Sequence, residues 1–217
     1  MLEGAHLLDR ETILKAFDKL SSELARRQLR ADMFVVGGAA IAIAYNNSRR
    51  TRDVDAVFSN TAEVYEAARA VARRLKLPND WLNDAVRSYL LGPDADQVPL
   101  RQDGVLQIAV GSASYVLAMK LLAARVEQDQ DDIRLLYDRL GLSSWGDGIE
   151  IVKRYLPTQE VPQETVDLLV AMFPPGSGSA AEPVMTDSEL ARCRLCGRQL
   201  RSAASIAAGI GPKCALR

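Results

Sequence analysis

Apolar residues recur at Ile13, Phe17, Leu20 and Leu24, with charged and polar residues between them. That spacing puts them on one face of a 3.6-residue helix, so a helix is predicted from about Arg10 to Leu29, capped by Asp9. The pattern then changes. MFVVGG (33–38) is a short apolar run ending in two glycines and reads as a strand, and AAIAIAY (39–45) suits a short buried helix. DVDAVF (53–58) alternates acidic and apolar residues, which places Val54, Ala56 and Phe58 on one face of a strand. A helix follows over Thr61–Leu75 with Thr61 as its N-cap, and WLNDAVRSYLL (81–91) predicts another short one. VLQIAV (105–110) is a third strand, and SASYVLAMKLLAARV (112–126) a strongly apolar helix. DDIRLLYDRLGL (131–142) is a helix closed by Gly141. GDGIEIVKRYL (146–156) and PQETVDLLVAMF (162–173) supply two more, the second with Pro162 near its first position. Strands alternate with helices early and helices dominate late. The order predicts an α/β (α+β) fold class: a small mixed sheet packed with helices, then a helical extension.

The periodicity stops at PPGSGSAAEPV (174–184), which carries one charge and reads as a flexible linker. Three segments are therefore expected: a core domain over 1–173, a linker over 174–185 and a small cysteine module over 186–217. The net charge of −1 conceals an asymmetry between them. From Thr186 onward Arg192, Arg194, Arg198, Arg201, Lys213 and Arg217 face only Asp187 and Glu189, a net +4; with Glu182 in the linker, the core domain stands near −4. No apolar stretch reaches the roughly 18 residues that span a bilayer, and the charged N-terminus lacks a signal peptide's apolar segment. A cytoplasmic protein with no membrane partner is the expectation.

The stretch VVGGAAIAIAYNNSRRTRDVDAVF (35–58) carries the chemistry. Asp53 and Asp55 lie two apart on a predicted strand, so their side chains leave the same face about 7 Å apart. Two carboxylates so placed repel unless a cation lies between them, and hard oxygen ligands suit Mg²⁺ or Mn²⁺. Gly37 and Gly38, between a strand and a helix start, let backbone N–H groups approach a phosphate. Each piece has a plainer reading: a tight turn for the glycines, a solvated strand face for the aspartates. Their proximity in the chain, joined by one short apolar helix, favours a triphosphate cradle.

The order Gly37-Gly38, then Arg49-x-Thr51-x-Asp53-x-Asp55, resembles the signature of the polymerase-beta-like nucleotidyltransferase superfamily. Within it the likeness is to small bacterial domains related to AbiEii-type toxins and to neighbouring uncharacterised nucleotidyltransferases. It continues through WLND (81–84), LQIAVGSASYVLAMKLLAAR (106–125) and Asp129-x-x-Asp132-Ile133-x-x-Leu136. The resemblance implies the nucleotidyltransferase fold, with Asp53 and Asp55 holding divalent metal. It implies that Gly37 and Gly38 approach the phosphates of a nucleoside triphosphate, with Arg49 and Thr51 in the same nucleotide-binding stretch. Lys120 would neutralise triphosphate charge, and Arg125, Asp129 and Asp132 would line the cleft. Lys120 also reads as a lysine snorkelling from an apolar helix, and Asp129 and Asp132 as helix-start charges. Many members of the superfamily carry a third carboxylate on a later strand. Here VLQIAV has Gln107 where that acid is expected; either Asp132 substitutes, one metal binds well, or activity is lost.

The last 25 residues hold Cys193-x-x-Cys196-Gly197-Arg198 and Gly209-x-Gly211-Pro212-x-Cys214. A C-x-x-C turn followed by glycine is knuckle geometry for Zn²⁺. The segment is similar to a short zinc-binding tail at the ends of various actinobacterial and phage proteins. Tetrahedral zinc needs a fourth ligand, with His6, Asp187, Glu189, Ser205 or water as candidates; the alternative is three free thiols. Four arginines among 192–201 suit phosphate contact, while the lack of aromatic residues after Phe173 argues against base stacking. Two functions are thus expected to compete. One is metal-dependent transfer of a nucleotidyl group to RNA or protein, in a toxin or phage-defence setting with a cognate antitoxin. The other is a degenerate adaptor that binds nucleic acid or a partner protein through the basic tail.

Overall fold

The computed structural model describes residues 7–123 and 125–174. Helix α1 (Arg10–Arg26) starts at Asp9, whose carboxylate accepts the Thr12 N–H at 2.9 Å, and it buries Ile13, Phe17, Leu20 and Leu24. It ends three residues earlier than its apolar spacing suggests, where Gln28 takes a left-handed φ of 60°. Strand β1 (Ala31–Val35) leads into Gly37–Ala40, α2, which continues as a π-helical turn over Ile41–Tyr45. Strand β2 (Val54–Phe58) buries Val54, Ala56 and Phe58 as the alternation requires. Helix α3 (Thr61–Leu75) has the expected bounds, but its N-cap is Asn60, in a left-handed conformation that Asn tolerates, and not Thr61.

The segment after α3 departs from the sequence reading. WLNDAVRSYLL is not one helix: Leu82–Asn83 forms a two-residue strand, β3, and Ala85–Tyr89 a 3₁₀ turn. A further strand, β4 (Val98–Gln102), precedes β5 (Leu106–Val110). Four helices follow: α4 (Ala113–Ala123), α5 (Val126–Leu140), α6 (Trp145–Tyr155) and α7 (Gln163–Met172). Helix α5 starts five residues before the predicted position and ends at Gly141, whose φ of 66° closes it. Pro162 is the N-cap of α7.

The sheet is mixed, with order β3-β2-β1-β5-β4. β1 runs antiparallel to β2 and parallel to β5; β3 runs parallel to β2, and β4 antiparallel to β5. The fold is therefore the expected α+β arrangement. One sheet face presents Met33, Val35, Val54, Ala56, Phe58, Leu106, Ile108 and Val110, all buried. Phe17 of α1 meets Trp81, whose indole N–H donates to the Ala68 carbonyl of α3, tying the two helices and β3 together. On the other face Phe34 meets Tyr115 of α4 edge-on, with ring centroids 5.4 Å apart. That opposite face also carries Asp55 and Val57, because Phe34 pairs with Val57 and side chains alternate along a strand. Helices α5 and α6 pack on α4, and α7 on both.

Candidate functional site

The chain turns sharply at Gly37, which takes φ +63° where β1 gives way to α2. A methyl group there would lie 2.9 Å from Asp55 Oδ2, and one at Gly38 would lie 2.8 Å from Thr51 Oγ1. The two glycines are thus pressed against the very stretch that carries the aspartates. Val36 N–H donates to the Asp55 carbonyl at 3.0 Å, which locks the turn to β2. Thr51 forms an isolated bridge with Leu8, and this pair of backbone hydrogen bonds anchors the segment leading to Asp53. Asp53 lies one residue ahead of β2 and Asp55 on it.

The strand beside β2 is β3, and its register sets Asn83 against Asp55. The Asn83 amide donates to Asp53 Oδ2 at 2.9 Å. Burial pushes the Asp53 carboxyl up, against the lowering effect of that hydrogen bond. Asp55 is also pushed up, first by burial and then by the charge of Asp53, while Asn83, Arg125 and Lys120 pull the other way. At both carboxylates burial thus outweighs the hydrogen bonding and positive charge that reach them.

A second cluster lies on α4 and α5. Lys120 Nζ is 2.6 Å from Asp129 Oδ1 and 2.9 Å from Asp132 Oδ2, and its side chain is 10% exposed. Arg49 grips Asp132 with both arms of its guanidinium, at 2.9 and 3.0 Å. Burial alone would raise the Asp132 carboxyl, but the Arg49 hydrogen bonds and the Lys120 charge hold it below the ordinary carboxylate range. Both Asp132 oxygens are thus engaged by cations of the chain. The Lys120 ammonium is held in this buried pair and does not snorkel to solvent. Arg125 is exposed between α4 and α5; its carbonyl accepts the Gln128 and Asp129 N–H groups, its guanidinium has no hydrogen-bond or ion-pair partner among the described residues, and its charge reaches Asp55.

Gln107 does not lie beside the carboxylate pair. It pairs across β5–β1 with Asp32, whose carbonyl accepts the Ser59 N–H. That level is four residues along β2 from Asp55, about 13 Å at strand rise, and two strands away. An acid at 107 would not reach the pair; position 83 does. The sequence signal for Asn83 was present in WLND but pointed to a helix. Among the described residues no group of three or more His, Cys, Asp or Glu is able to hold a metal ion. Two carboxylates still fit Mg²⁺ or Mn²⁺, because such ions commonly keep several waters and take one or two carboxylates plus substrate phosphates. Farther along the same sheet face, a cavity of about 750 Å³ is lined by Asp32, Phe34, Val57, Ser59, Gln107 and Ala109 among others. His6, Cys193, Cys196 and Cys214 lie outside the described residues.

Residues 12–143 match the model of a family described as "Nucleotidyltransferase of unknown function (DUF6036)". The match spans more than half of the chain, which belongs to that family. Residues 185–217 match a second model, described as "Family of unknown function (DUF6011)". No curated protein and no solved structure matches the chain. No described helix is long and apolar enough to cross a membrane.

Proposed function

We propose that the chain is a metal-dependent nucleotidyltransferase that passes a nucleotidyl group from a nucleoside triphosphate to an RNA or protein hydroxyl. The observation that carries this reading is the contact of the Gly37-Gly38 turn with Asp55 and Thr51, beside the Asp53–Asn83 hydrogen bond. The acceptor oxygen forms a bond to the α-phosphorus in line with the bond to the bridging oxygen, which breaks, and pyrophosphate leaves. A divalent ion on Asp53 and Asp55 would supply positive charge to the attacking and leaving oxygens. On this reading Arg125, whose charge reaches Asp55, meets triphosphate charge, and the acceptor enters by the cavity farther along the sheet face. Lys120 reaches the phosphates on this reading only by exchanging a carboxylate partner for them. A role as a toxin or defence component, opposed by an antitoxin, follows from the resemblance alone.

The test is transfer of label from each of the four α-labelled ribonucleotides, with Mg²⁺ or Mn²⁺, to total RNA and to protein. Transfer that falls at least about a hundredfold in Asp53→Ala and Asp55→Ala is the expected result. A folded wild-type protein that labels nothing with any of the four would sink the reading. The tail is assigned a zinc knuckle on Cys193, Cys196 and Cys214. Elemental analysis should then find one zinc per chain, lost in Cys193→Ser/Cys196→Ser, and metal-free wild type would overturn that assignment.

A second reading has one observation in its favour: among the described residues no third Asp, Glu, His or Cys joins the pair to form a metal-holding group. On it the domain is a catalytically degenerate adaptor, and Arg192, Arg194, Arg198 and Arg201 grip nucleic acid or a partner. Salt-sensitive RNA binding that survives Asp53→Ala and disappears with residues 186–217 would select it.

A further inference from the structure

The position beside the two aspartates is filled by an amide. Asn83 lies in register with Asp55 on the parallel strand β3 and donates from Nδ2 to Asp53 Oδ2 at 2.9 Å. Its Oδ1 accepts the Ala85 N–H at 3.1 Å, which fixes which end of the amide faces the carboxylates. An amide nitrogen has two hydrogens; one goes to Asp53, and the other is available to Asp55, the residue Asn83 faces in register. The strand beneath it is firmly held: Val54 N–H donates to the Trp81 carbonyl at 2.7 Å, and Trp81 is fully buried. Of the nearby acids, Asp84 is turned away, accepting the Tyr65 hydroxyl at 2.6 Å and pairing with Arg87.

We propose that Asn83 is the third arm of the cation site, a neutral amide that bridges Asp53 and Asp55 in the cation-free protein and limits the site to one divalent ion brought in with the triphosphate. Two carboxylates balance one divalent charge. A third would raise the site's own affinity for the ion, because affinity for hard cations follows the number of charged ligands. With an amide there, Asp53 keeps one oxygen oriented by Asn83 and offers the other to the ion, and the remaining ligands come from water and phosphate. This inference rests on the nucleotidyl-transfer reading for its substrate, but its core is a statement about ligand charge at position 83.

The competing account makes Asn83 only a cap on the following 3₁₀ turn, and stability alone does not separate the two. The full-length chain is therefore titrated with Mn²⁺ alone, free ion being followed by electron paramagnetic resonance and unfolding by thermal melts. Asn83→Asp is expected to bind Mn²⁺ at least about tenfold more tightly than wild type. Its metal-free melting temperature should fall below wild type and recover as Mn²⁺ is added. Asn83→Ala should lower the melting temperature without any gain in Mn²⁺ affinity. If Asn83→Asp binds Mn²⁺ no more tightly than wild type, while Asp53→Ala still weakens the wild-type site, Asn83 is a cap only. The inference is then overturned and the nucleotidyl-transfer reading stands. If wild type takes up Mn²⁺ neither alone nor with a mixture of the four triphosphates, that reading fails. A gain of binding in Asn83→Asp would then still establish the third arm.

Discussion

Gly37 has two independent reasons to be glycine. Its φ of +63° costs a side-chain-bearing residue about 1–2 kcal/mol, and the space a methyl would occupy is 2.9 Å from Asp55 Oδ2. Gly37→Ala should therefore lower stability by about that amount and also push the Asp55 carboxylate out of line. Thermal melts would show the first effect and loss of nucleotidyl transfer the second; a variant with wild-type transfer would show that the turn does not position the pair. Asp132 makes a different kind of demand. It is 5% exposed and carries Arg49 on both oxygens and Lys120 on one. Taking away one member of a buried charge network leaves the others poorly paired, so Asp132→Ala should cost about 3 kcal/mol in urea denaturation. A loss under about 0.5 kcal/mol would place the network among surface pairs in energetic terms.

At the scale of elements, the β4–β5 hairpin is tied to α1 by one carboxylate. Asp103 Oδ1 accepts the Val105 and Leu106 N–H groups at 2.9 and 2.8 Å, and Oδ2 accepts Ser21 Oγ at 2.8 Å and Arg101 at 2.7 Å. The Leu106 N–H, more than any other partner, holds this carboxyl well below the ordinary carboxylate range. A folded-state value below the unfolded one gives stability that is full above the unfolded value of about 4 and fades as pH falls through the folded value. Asp103→Asn should thus be less stable than wild type by a constant margin near pH 6, about 1–2 kcal/mol. The margin should shrink below pH ~4; urea melts of both proteins from pH 6 to pH 2.5 would show a margin that stays flat if the carboxylate has no such role. This hairpin also marks where the sequence was hard to read. VPLRQ has no clean alternation because β4 is an exposed edge strand, and β3 is two residues long. By contrast α1, α3 and β2 each carry a full stripe of buried residues at the period of their own element, which is why their patterns were legible. The aspartates and glycines of the site were legible for a related reason: they lie within 19 residues of one another. Asn83 and the Arg49–Asp132 pair, 83 residues apart, come together only through sheet register and helix packing, which no local pattern encodes.

Across the molecule, the family match ends at residue 143, yet the core does not. Phe173 stacks on Tyr137 with centroids 3.8 Å apart and planes 5° from parallel, and its carbonyl accepts the Trp145 N–H at 3.1 Å. Gly148 of α6 is packed so closely on Tyr137 that a methyl there would collide with the hydroxyl. Ile151, Val152 and Leu169 are buried with Leu121, Leu136 and Tyr137 in the same apolar cluster. Helices α6 and α7 therefore complete the support beneath α4 and α5, and it is α4 and α5 that carry Lys120, Asp129 and Asp132. A chain ending at residue 143 would expose several large buried side chains, each worth about 1.5–3 kcal/mol, against a total stability of about 5–15 kcal/mol. Such a chain should fail to unfold cooperatively. One ending at Ser177, the limit of the compact unit that holds the site, should melt as the full chain does and keep its Mn²⁺ response. Cooperative melting of the shorter chain with that response intact would mean that the helical extension does something other than hold the site, and the place to look would then be its exposed surface.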